Sequence, residues 1–297
     1  MKDGEKIHRP VLLKKAVEVL KVKKEEVFID ATIGGAGHGE EILKKGGKLI
    51  GLDLDQEMLS HARARLKKAC PNGPWKLYQT NFSNLSQIVK KHKLPFPAGI
   101  LFDLGLSNFH YKQANRGFSF QDDSVLDMRI SKSGPGAWDL LKGVSEEELA
   151  EVLRLYGQEP LAKEIAREII FIRKKGKLTG VELARLVKEV YHRYSQKKLR
   201  TQPATRTFLA LRIWVNNELL NLKMGLAQAL EILKPKGRIV VISFHSGEDR
   251  IVKNTFKKWE KEKRGEVLTK KPIFPDPKEV KENYMARSAV LRAFGKK

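Results

Sequence analysis

The residues that suggest chemistry begin with a glycine-rich segment. DATIGGAGHG, residues 30–39, contains four glycines and one histidine and includes the end of the apolar run VFID. Glycines between a strand and a helix let backbone N–H groups approach a nucleotide or cofactor closely. A dinucleotide-binding loop has the spacing G-x-G-x-x-G, and the glycines of GGAGHG match it badly. The segment therefore predicts a nucleotide-like cofactor without a pyrophosphate.

Two acidic residues refine this prediction. Asp30 ends the first predicted strand just before the loop, and Asp53 ends the second, in LIGLDLD. Asp53 can accept hydrogen bonds from both hydroxyls of a ribose, with Asp55 as the alternative for that role. An acid near the loop favours an ammonium group over a pyrophosphate. A ribose joined to a positively charged amino acid describes S-adenosylmethionine, which we therefore expect as the cofactor.

A third acid, Asp103 in LFDLGLSN, ends the fourth predicted strand, at the sheet edge where cofactor and substrate meet. Asp103 or a neighbouring carbonyl group can align an exocyclic amine with the methyl group. Methylation of a pyrimidine carbon normally needs a cysteine nucleophile, but Cys70 lies beyond the helix that follows Asp53. The amino-methyltransferase motif Asn/Asp/Ser-Pro-Pro-aromatic is absent from the sequence. The residues alone therefore leave the methyl acceptor undetermined.

Alternating strands and helices must position these acids. Seven segments predict strands: EEVFIDAT, KLIGLDLD, WKLYQTNF, AGILFDLGL, RIVVISF, EVLTKKPIF and SAVLRAF. Amphipathic or polar segments between the first four predict helices, including QEMLSHARARLKKAC. This alternation indicates an α/β fold with a mostly parallel sheet covered by helices.

Between about Tyr111 and Gln202 the pattern becomes helical. VSEEELAEVLRLYG, EPLAKEIAREIIFIRKK and TGVELARLVKEVYHRYS each predict an amphipathic helix, with no convincing strand among them. We interpret residues 111–202 as an inserted helical domain that divides a core made of residues 1–110 and 203–297. A long helical region closed by Pro235 and Gly237 then precedes RIVVISF.

The charge of the chain predicts a polyanionic partner. Fifty-eight Lys and Arg against 35 Asp and Glu give a formal net charge of +23. The stretch of residues 171–200 holds ten basic and two acidic residues, with Phe171, Tyr191 and Tyr194 between them. We predict that it contacts RNA phosphates and bases, and KNTFKKWEKEKR adds a second basic block. A surface that lysine merely keeps soluble is the alternative.

Other classes of protein fit poorly. The apolar runs are far shorter than a bilayer span and the first residues lack the apolar core of a signal peptide, so we expect a cytoplasmic protein. A single cysteine and the absence of clustered Cys and His make zinc or redox chemistry an unfavourable interpretation.

Seven motifs together resemble one family over nearly the whole chain. They are HRPVLL, DATIGGAGHG, DLGLSNFHYKQANRGFSF, LDMR, ATRTFLALRIWVNNEL, SFHSGEDRIVK and ARSAVLR. In order and spacing they resemble the bacterial 16S ribosomal RNA cytosine-N4 methyltransferases, also called MraW or RsmH. The resemblance implies a Rossmann-like class I methyltransferase core of about seven strands with an inserted helical RNA-recognition domain. It also implies methyl transfer from S-adenosylmethionine to the N4 amine of a cytidine in the decoding region of the small ribosomal subunit.

The resemblance also implies roles for individual residues. The cofactor contacts of the family fall on Ala36, Gly37, His38, Asp53, Phe82, Asp103 and His110. Ala36 stands where the family usually has glycine, His110 where it has glutamine, and Gly247 where it has leucine. Ser243 and His245 follow the fifth predicted strand and are candidates for the acceptor pocket, with Asp103 as the candidate aligning group. The oligomeric state is left open, with a homodimer as one candidate.

Other functions stay open beside this one. They are a methyltransferase acting on a different RNA site, a nicotinamide-dependent oxidoreductase on a similar sheet, and an RNA-binding protein with a vestigial cofactor fold. Binding of S-adenosylmethionine but not NAD would separate the first from the oxidoreductase. Methyl incorporation into small-subunit RNA would separate an enzyme from a binding protein. Phe118 and Phe120 in RGFSF are either core aromatics or stacking surfaces for bases.

Overall fold

The computed structural model describes residues 10–106, 109–110, 116–174, 176–195 and 202–297. The chain divides into two compact units. We call residues 1–107 with 219–297 the core unit, and residues 108–218 the helical unit. The sequence had placed the return to the core at residue 203, whereas the helix Thr205–Asn216 belongs to the helical unit. It does so because Phe208 on this helix packs against Phe120, with the ring centroids 4.7 Å apart.

Seven strands of the core unit form one sheet in the order β3-β2-β1-β4-β5-β7-β6. They are β1 (Val27–Asp30), β2 (Lys48–Asp53), β3 (Trp75–Gln79), β4 (Gly99–Asp103), β5 (Arg238–Ser243), β6 (Gly265–Val267) and β7 (Val290–Lys296). The first five strands pair in parallel, and β7 runs antiparallel to both β5 and β6. This arrangement confirms the predicted Rossmann-like, mostly parallel core of seven strands.

The central strands are apolar along their length because both faces of the sheet are covered. Every residue of β1 is buried, as are the first four of β4. Alternate residues enter two separate apolar clusters, so that Ile29 lies in one and Phe28 in the other. Packing on both faces of the sheet holds the ends of these central strands in place.

The helices of the described residues cover the sheet or build the helical unit. They are α1 (Leu13–Leu20), α2 (Gly37–Lys44), α3 (Gln56–Ala69), α4 (Leu85–Lys91), α5 (Ala137–Gly143), α6 (Glu146–Gly157), α7 (Ala162–Ile172), α8 (Gly180–Tyr194), α9 (Thr205–Asn216), α10 (Glu218–Ile232), α11 (Ser246–Lys261) and α12 (Pro277–Glu282). Short 3₁₀ turns occupy Phe82–Asn84 and Tyr284–Ser288. None of the helices in the described ranges is long and apolar enough to cross a membrane.

Local signals set several helix boundaries. Ser145 and Thr179 begin α6 and α8 through capping boxes with Glu148 and Glu182. The long helical region expected before β5 is instead two helices, because Asn217 adopts a left-handed conformation with φ of 50° and ends α9. Each predicted helix of the insertion is present, shortened at its ends.

Candidate active site

The candidate residues meet at one edge of the sheet. Asp30, Asp53, Asp103 and Ser243 are the last residues of β1, β2, β4 and β5. Because these strands are parallel, their carboxyl ends share one edge of the sheet, which is where ligands bind in open α/β folds. The structure therefore brings together acids that are up to 73 positions apart in sequence (103 − 30).

The glycine-rich loop joins β1 to α2 and is tied to Asp53. Gly34 has φ of +47° and donates its N–H to Asp53 Oδ2 over 2.9 Å. Ala36 precedes α2 in the same left-handed region, with φ of 60°, which glycine adopts more readily than alanine. At Gly37 a Cβ atom would lie 2.1 Å from Pro10 Cγ, so that only glycine fits beneath the proline. The loop is thus held tightly against the start of α2.

Asp53 and Asp55 have different partners. Asp53 Oδ1 accepts the N–H of Asp55 over 2.9 Å, and Asp53 is only partly buried. Asp55 is 5% exposed, and its Oδ1 caps α3 by accepting the N–H of Glu57 over 2.8 Å. The capping role of Asp55 favours Asp53 for the predicted ribose contact.

Two further carboxyl groups at this edge, those of Asp30 and Asp103, receive few hydrogen bonds that would stabilise their charged forms. Asp30 is 1% exposed, and burial, together with the negative charge of Asp53, raises its pKa to about 7 despite a hydrogen bond from Thr32 N. Burial also raises the pKa of Asp103 well above its usual value, with the charges of Asp30 and Glu248 adding to the shift. This edge therefore holds carboxyls that ionise poorly until a positive charge arrives.

Asp103 is held from two directions and leaves one oxygen unpartnered. Its backbone N–H donates to Thr32 Oγ1 over 2.7 Å, and its Oδ2 lies 3.5 Å from His38 Nδ1. His38 is 4% exposed, and its Nε2 lies 3.1 Å from the carbonyl oxygen of Val11, so Nε2 carries a proton and donates. Among the described residues Asp103 Oδ1 is buried without a hydrogen-bond partner. A buried polar atom in that state fits a site that a ligand completes.

In this structure the side chains of Ser243 and His245 interact with neighbouring parts of the core unit. Ser243 Oγ donates to the carbonyl oxygen of Val290 on β7 over 3.3 Å. His245 precedes α11, where its Nδ1 accepts the N–H of Glu248 and its Nε2 lies 3.3 Å from Glu248 Oε1. Glu248 is 3% exposed and accepts the N–H of Phe244 over 2.8 Å. Their predicted place in an acceptor pocket stays a prediction.

The two remaining predicted cofactor contacts lie in different units. Phe82 in the core unit packs edge-to-face on Phe102, with centroids 5.6 Å apart, and a Cβ at Gly225 would lie 2.7 Å from its ring. His110 belongs to the helical unit, is 5% exposed, and has its ring 6.1 Å from that of Phe118. Both roles in cofactor binding stay predictions.

The basic stretch predicted to contact RNA is only partly free for that role. Arg173 donates to the carbonyl oxygens of Leu141 and Val144, and Arg193 pairs with Glu168 at 2.9 Å. Lys174 is exposed, whereas Lys175, Lys197, Lys198 and Arg200 lie outside the described residues. Of its aromatics, Phe171 and Tyr194 are more than half exposed.

Tyr191 and the RGFSF aromatics belong to the interior of the helical unit. Tyr191 is 7% exposed and donates its hydroxyl to Glu159. Phe118 is 6% exposed, and Phe120 packs on Phe208. These positions favour the core interpretation of Phe118 and Phe120 over base stacking.

Sequence reasoning missed three contributors to the site. Thr32 lies inside the loop motif but was given no role, although its hydroxyl holds the backbone of Asp103. Glu248 was quoted only as part of SFHSGEDRIVK, yet it is buried and raises the pKa of Asp103. Pro10 was quoted only as part of HRPVLL, and a proline opposite a glycine-rich loop gives no signal of contact across 27 residues (37 − 10).

Comparison with known proteins gives a consistent match. The model of the MraW methylase family matches residues 5–297. The chain is 44% identical over 289 residues to Ribosomal RNA small subunit methyltransferase H of Sulfurihydrogenibium sp. (strain YO3AOP1), covering 96% of this chain and 97% of that one. It is 42% identical to the protein of that name from Carboxydothermus hydrogenoformans, covering 96% of each chain. With the one from Dictyoglomus turgidum it shares 44% identity over 98% of each chain.

Proposed function

Because the chain belongs to the MraW methylase family, we propose that it methylates the exocyclic N4 amine of a cytidine in the decoding region of 16S ribosomal RNA. Membership of this methylase family confirms S-adenosylmethionine as the cofactor expected from the sequence. The observation that carries the proposal is Asp103 at the end of β4, whose buried Oδ1 has no hydrogen-bond partner among the described residues.

The residues at the sheet edge fit this cofactor. S-adenosylmethionine supplies an electrophilic methyl group on a positively charged sulfur and also carries an ammonium group. Asp30 and Asp103 are buried carboxyls with raised pKa values, and they become favourable as anions when a cation lies beside them. Asp53 lies next to the loop, where its Oδ2 accepts the N–H of Gly34 and its Oδ1 accepts the N–H of Asp55. A cluster of carboxyls at this edge suits a cationic ligand better than a pyrophosphate.

Asp103 is the best candidate for aligning the acceptor amine. Thr32 Oγ1 holds its backbone N–H, Oδ2 lies 3.5 Å from His38 Nδ1, and Oδ1 is buried without a partner among the described residues. An ionised Oδ1 accepts a hydrogen bond from one amine N–H and thereby orients the nitrogen lone pair. His38, whose Nε2 donates to Val11, lies beside Asp103 with its Nδ1 3.5 Å from Oδ2.

The RNA substrate is supported by the names of the relatives and by charge. Three relatives that cover nearly all of this chain carry names that describe methylation of small-subunit ribosomal RNA. The formal net charge of +23 favours a polyanionic substrate. Cytidine N4 is an exocyclic amine, which needs alignment but no covalent adduct. That chemistry matches a site built on carboxyls.

The test uses small ribosomal subunits from cells lacking this gene. We expect the purified protein and S-adenosylmethionine to convert one cytidine of 16S RNA to N4-methylcytidine, detected by mass spectrometry of nuclease fragments. Asp103→Asn is the matched variant and should bind the subunits but methylate slowly. Methylation of another base would move the substrate elsewhere in RNA. No incorporation by a folded protein that binds S-adenosylmethionine would contradict the proposal.

A further inference from the structure

The exposed face of α11 carries a row of cations. Arg250, Lys253, Lys257 and Lys261 are all exposed and recur at intervals of three, four and four residues. This spacing puts them on one side of the helix, with neighbours about 5–6 Å apart. Over 11 residues the row extends about 16 Å along the helix axis. We call these four residues the cationic ridge.

The acids of α11 do not neutralise this ridge. Glu248 is directed inward to the N–H groups before the helix, and Asp249 forms a two-bond pair with Arg292 on β7 at 2.6 and 3.0 Å. Glu260 accepts the N–H of Val267 over 2.8 Å, and Glu262 lies 3.8 Å from Lys258. None of the four ridge residues has an ion-pair partner within the described part of the chain.

Two lysines on other helices of the core unit are paired with acids of their own helix. Lys15 pairs with Glu18 on α1, and Lys44 pairs with Glu40 and Glu41 on α2. These pairs lie three or four residues apart, which is the arrangement expected of a charged solvent-facing helix. The ridge instead presents four cations that only solvent or an external anion can balance.

Helix stability does not explain the ridge. The macrodipole favours cations in the last turn, which accounts for Lys261. Arg250, Lys253 and Lys257 lie before the last turn, where the dipole gives a cation no advantage. A row of cations that begins well before the last turn is better explained by a ligand than by helix stability.

The ridge begins beside the candidate methyl-transfer site. Helix α11 starts three residues after β5 ends, at the carboxyl edge of the sheet. Glu248 in its first turn lies close enough to raise the pKa of Asp103. The row of cations therefore leads away from the edge at which Asp103 stands.

We propose that the cationic ridge binds the sugar-phosphate backbone of the RNA strand that carries the target nucleotide, so that RNA contacts extend along the core unit. This inference rests on the proposed RNA substrate, and it adds which surface of the core unit the RNA backbone contacts. Evenly spaced cations match the repeated charge of a backbone, and they give affinity without reading sequence.

The test compares two triple variants of the full chain. The ridge variant is Lys253→Gln, Lys257→Gln, Lys261→Gln, and leaves Arg250 near the site unchanged. The matched control, Lys67→Gln, Lys68→Gln, Lys91→Gln, removes three exposed charges from the last turns of α3 and α4. Helices that connect parallel strands run back across the sheet, so the control charges lie at its opposite edge.

Binding is measured with unmodified 16S RNA at several salt concentrations. For the ridge variant we expect the slope of log affinity against log salt to flatten by about 2, since each contact with single-stranded phosphate contributes about 0.7. In methylation of unmodified small subunits, KM should rise about tenfold while kcat stays within twofold. The control should match the parent in slope and KM, and both variants should keep the parental affinity for S-adenosylmethionine.

Equal slopes for the ridge variant and the control would overturn the inference and leave the ridge a solvated surface. Parental RNA binding combined with lost binding to vesicles of anionic phospholipid would also overturn it, in favour of a lipid surface. Failure of the proposed function is seen separately, in the parent: it would bind 16S RNA with the ridge-dependent slope and yet leave N4 of cytidine unmethylated.

Discussion

The two units treat a buried carboxyl group in opposite ways. In the helical unit Glu159 is 2% exposed, and its Oε1 accepts the hydroxyl of Tyr191 and the N–H of Leu161. Its Oε2 lies 3.4 Å from Thr207 Oγ1. In the core unit Asp103 Oδ1 has no partner among the described residues, and Oδ2 has His38 at 3.5 Å. The carboxyl group of Glu159 thus has hydrogen-bond donors within its own unit, whereas Oδ1 of Asp103 has none among the described residues.

The same difference extends to neighbouring acids. Burial would raise the pKa of Asp122 in the helical unit, but hydrogen bonds from Ser124, Gly117 and Arg116 lower it overall. Asp30 in the core unit receives one backbone hydrogen bond, and burial raises its pKa to about 7. A buried acid surrounded by donors stabilises the fold, whereas one left short of donors is prepared for a ligand that supplies positive charge.

The largest effect is expected from Asp103→Asn. If Oδ1 aligns the acceptor amine, kcat should fall about a thousandfold, equivalent to about 4 kcal/mol. The unfolding free energy should stay level or rise, because the variant removes a poorly compensated buried acid. Single-turnover methylation, calorimetry with S-adenosylmethionine and denaturant unfolding measure the three quantities. A loss confined to cofactor affinity would deny Asp103 the aligning role.

Glu159→Ala tests the opposite half of the comparison. We expect the unfolding free energy to fall by about 3 kcal/mol, since the hydroxyls of Tyr191 and Thr207 are left buried without their acceptor. The affinity for S-adenosylmethionine should stay within twofold. Tyr191→Phe is the milder control and should cost about 1 kcal/mol. Unchanged stability of Glu159→Ala would remove the distinction drawn between the two acids.

The pH dependence of stability follows from the raised pKa of Asp30. Between an unfolded value of about 4 and the folded value of about 7, the folded state holds one more proton, so stability falls as pH rises. From pH 5 to pH 8 the unfolding free energy of the parent should fall by about 3 kcal/mol from this cause. Asp30→Asn should not show this fall. Guanidinium unfolding of parent and variant across that range measures the difference.

Asp122→Asn is the control for that experiment. The pKa of Asp122 is lowered, so its contribution is present above its unfolded value of about 4 and is lost only as pH falls further. The stability difference between parent and Asp122→Asn should therefore be flat from pH 5 to pH 8. If the unfolding free energies of the parent and Asp30→Asn changed with pH in the same way, the raised pKa of Asp30 would be refuted.

The sequence predicted the strand ends well because the signal is local. Strands β1, β2 and β4 are short apolar runs closed by an acid, and parallel pairing brings the ends of such runs to one edge. Asp30, Asp53 and Asp103 could thus be expected near one another before any distance was known. The capping boxes at Ser145 and Thr179 are equally local and mark helix starts within the sequence itself.

Other features depend on contacts that no local pattern encodes. Ser243 was expected to face the acceptor pocket, but its hydroxyl donates to Val290, 47 residues later. Glu248 turns inward because the N–H groups of Phe244 and His245 need an acceptor where β5 gives way to α11. Asn217 divides a continuous helical pattern by its backbone conformation. In each case the outcome depends on tertiary packing or backbone geometry.

The smallest effect compares Asp53 with Asp55, the two acids that the sequence left as alternatives for the ribose. Asp53→Ala should weaken S-adenosylmethionine binding by about 1–3 kcal/mol, through the lost acceptor and the loosened Gly34. Asp55→Ala removes the cap of α3 and should lower unfolding free energy by about 1 kcal/mol while leaving that affinity nearly unchanged. Calorimetry and thermal unfolding of both variants separate a ligand acceptor from a helix cap. The reverse result, with S-adenosylmethionine affinity lost only in Asp55→Ala, would place the cofactor contact on Asp55. An acid that already accepts hydrogen bonds as a helix cap would then also bind the ligand, and the distinction between the two kinds of acid would fail within the core unit.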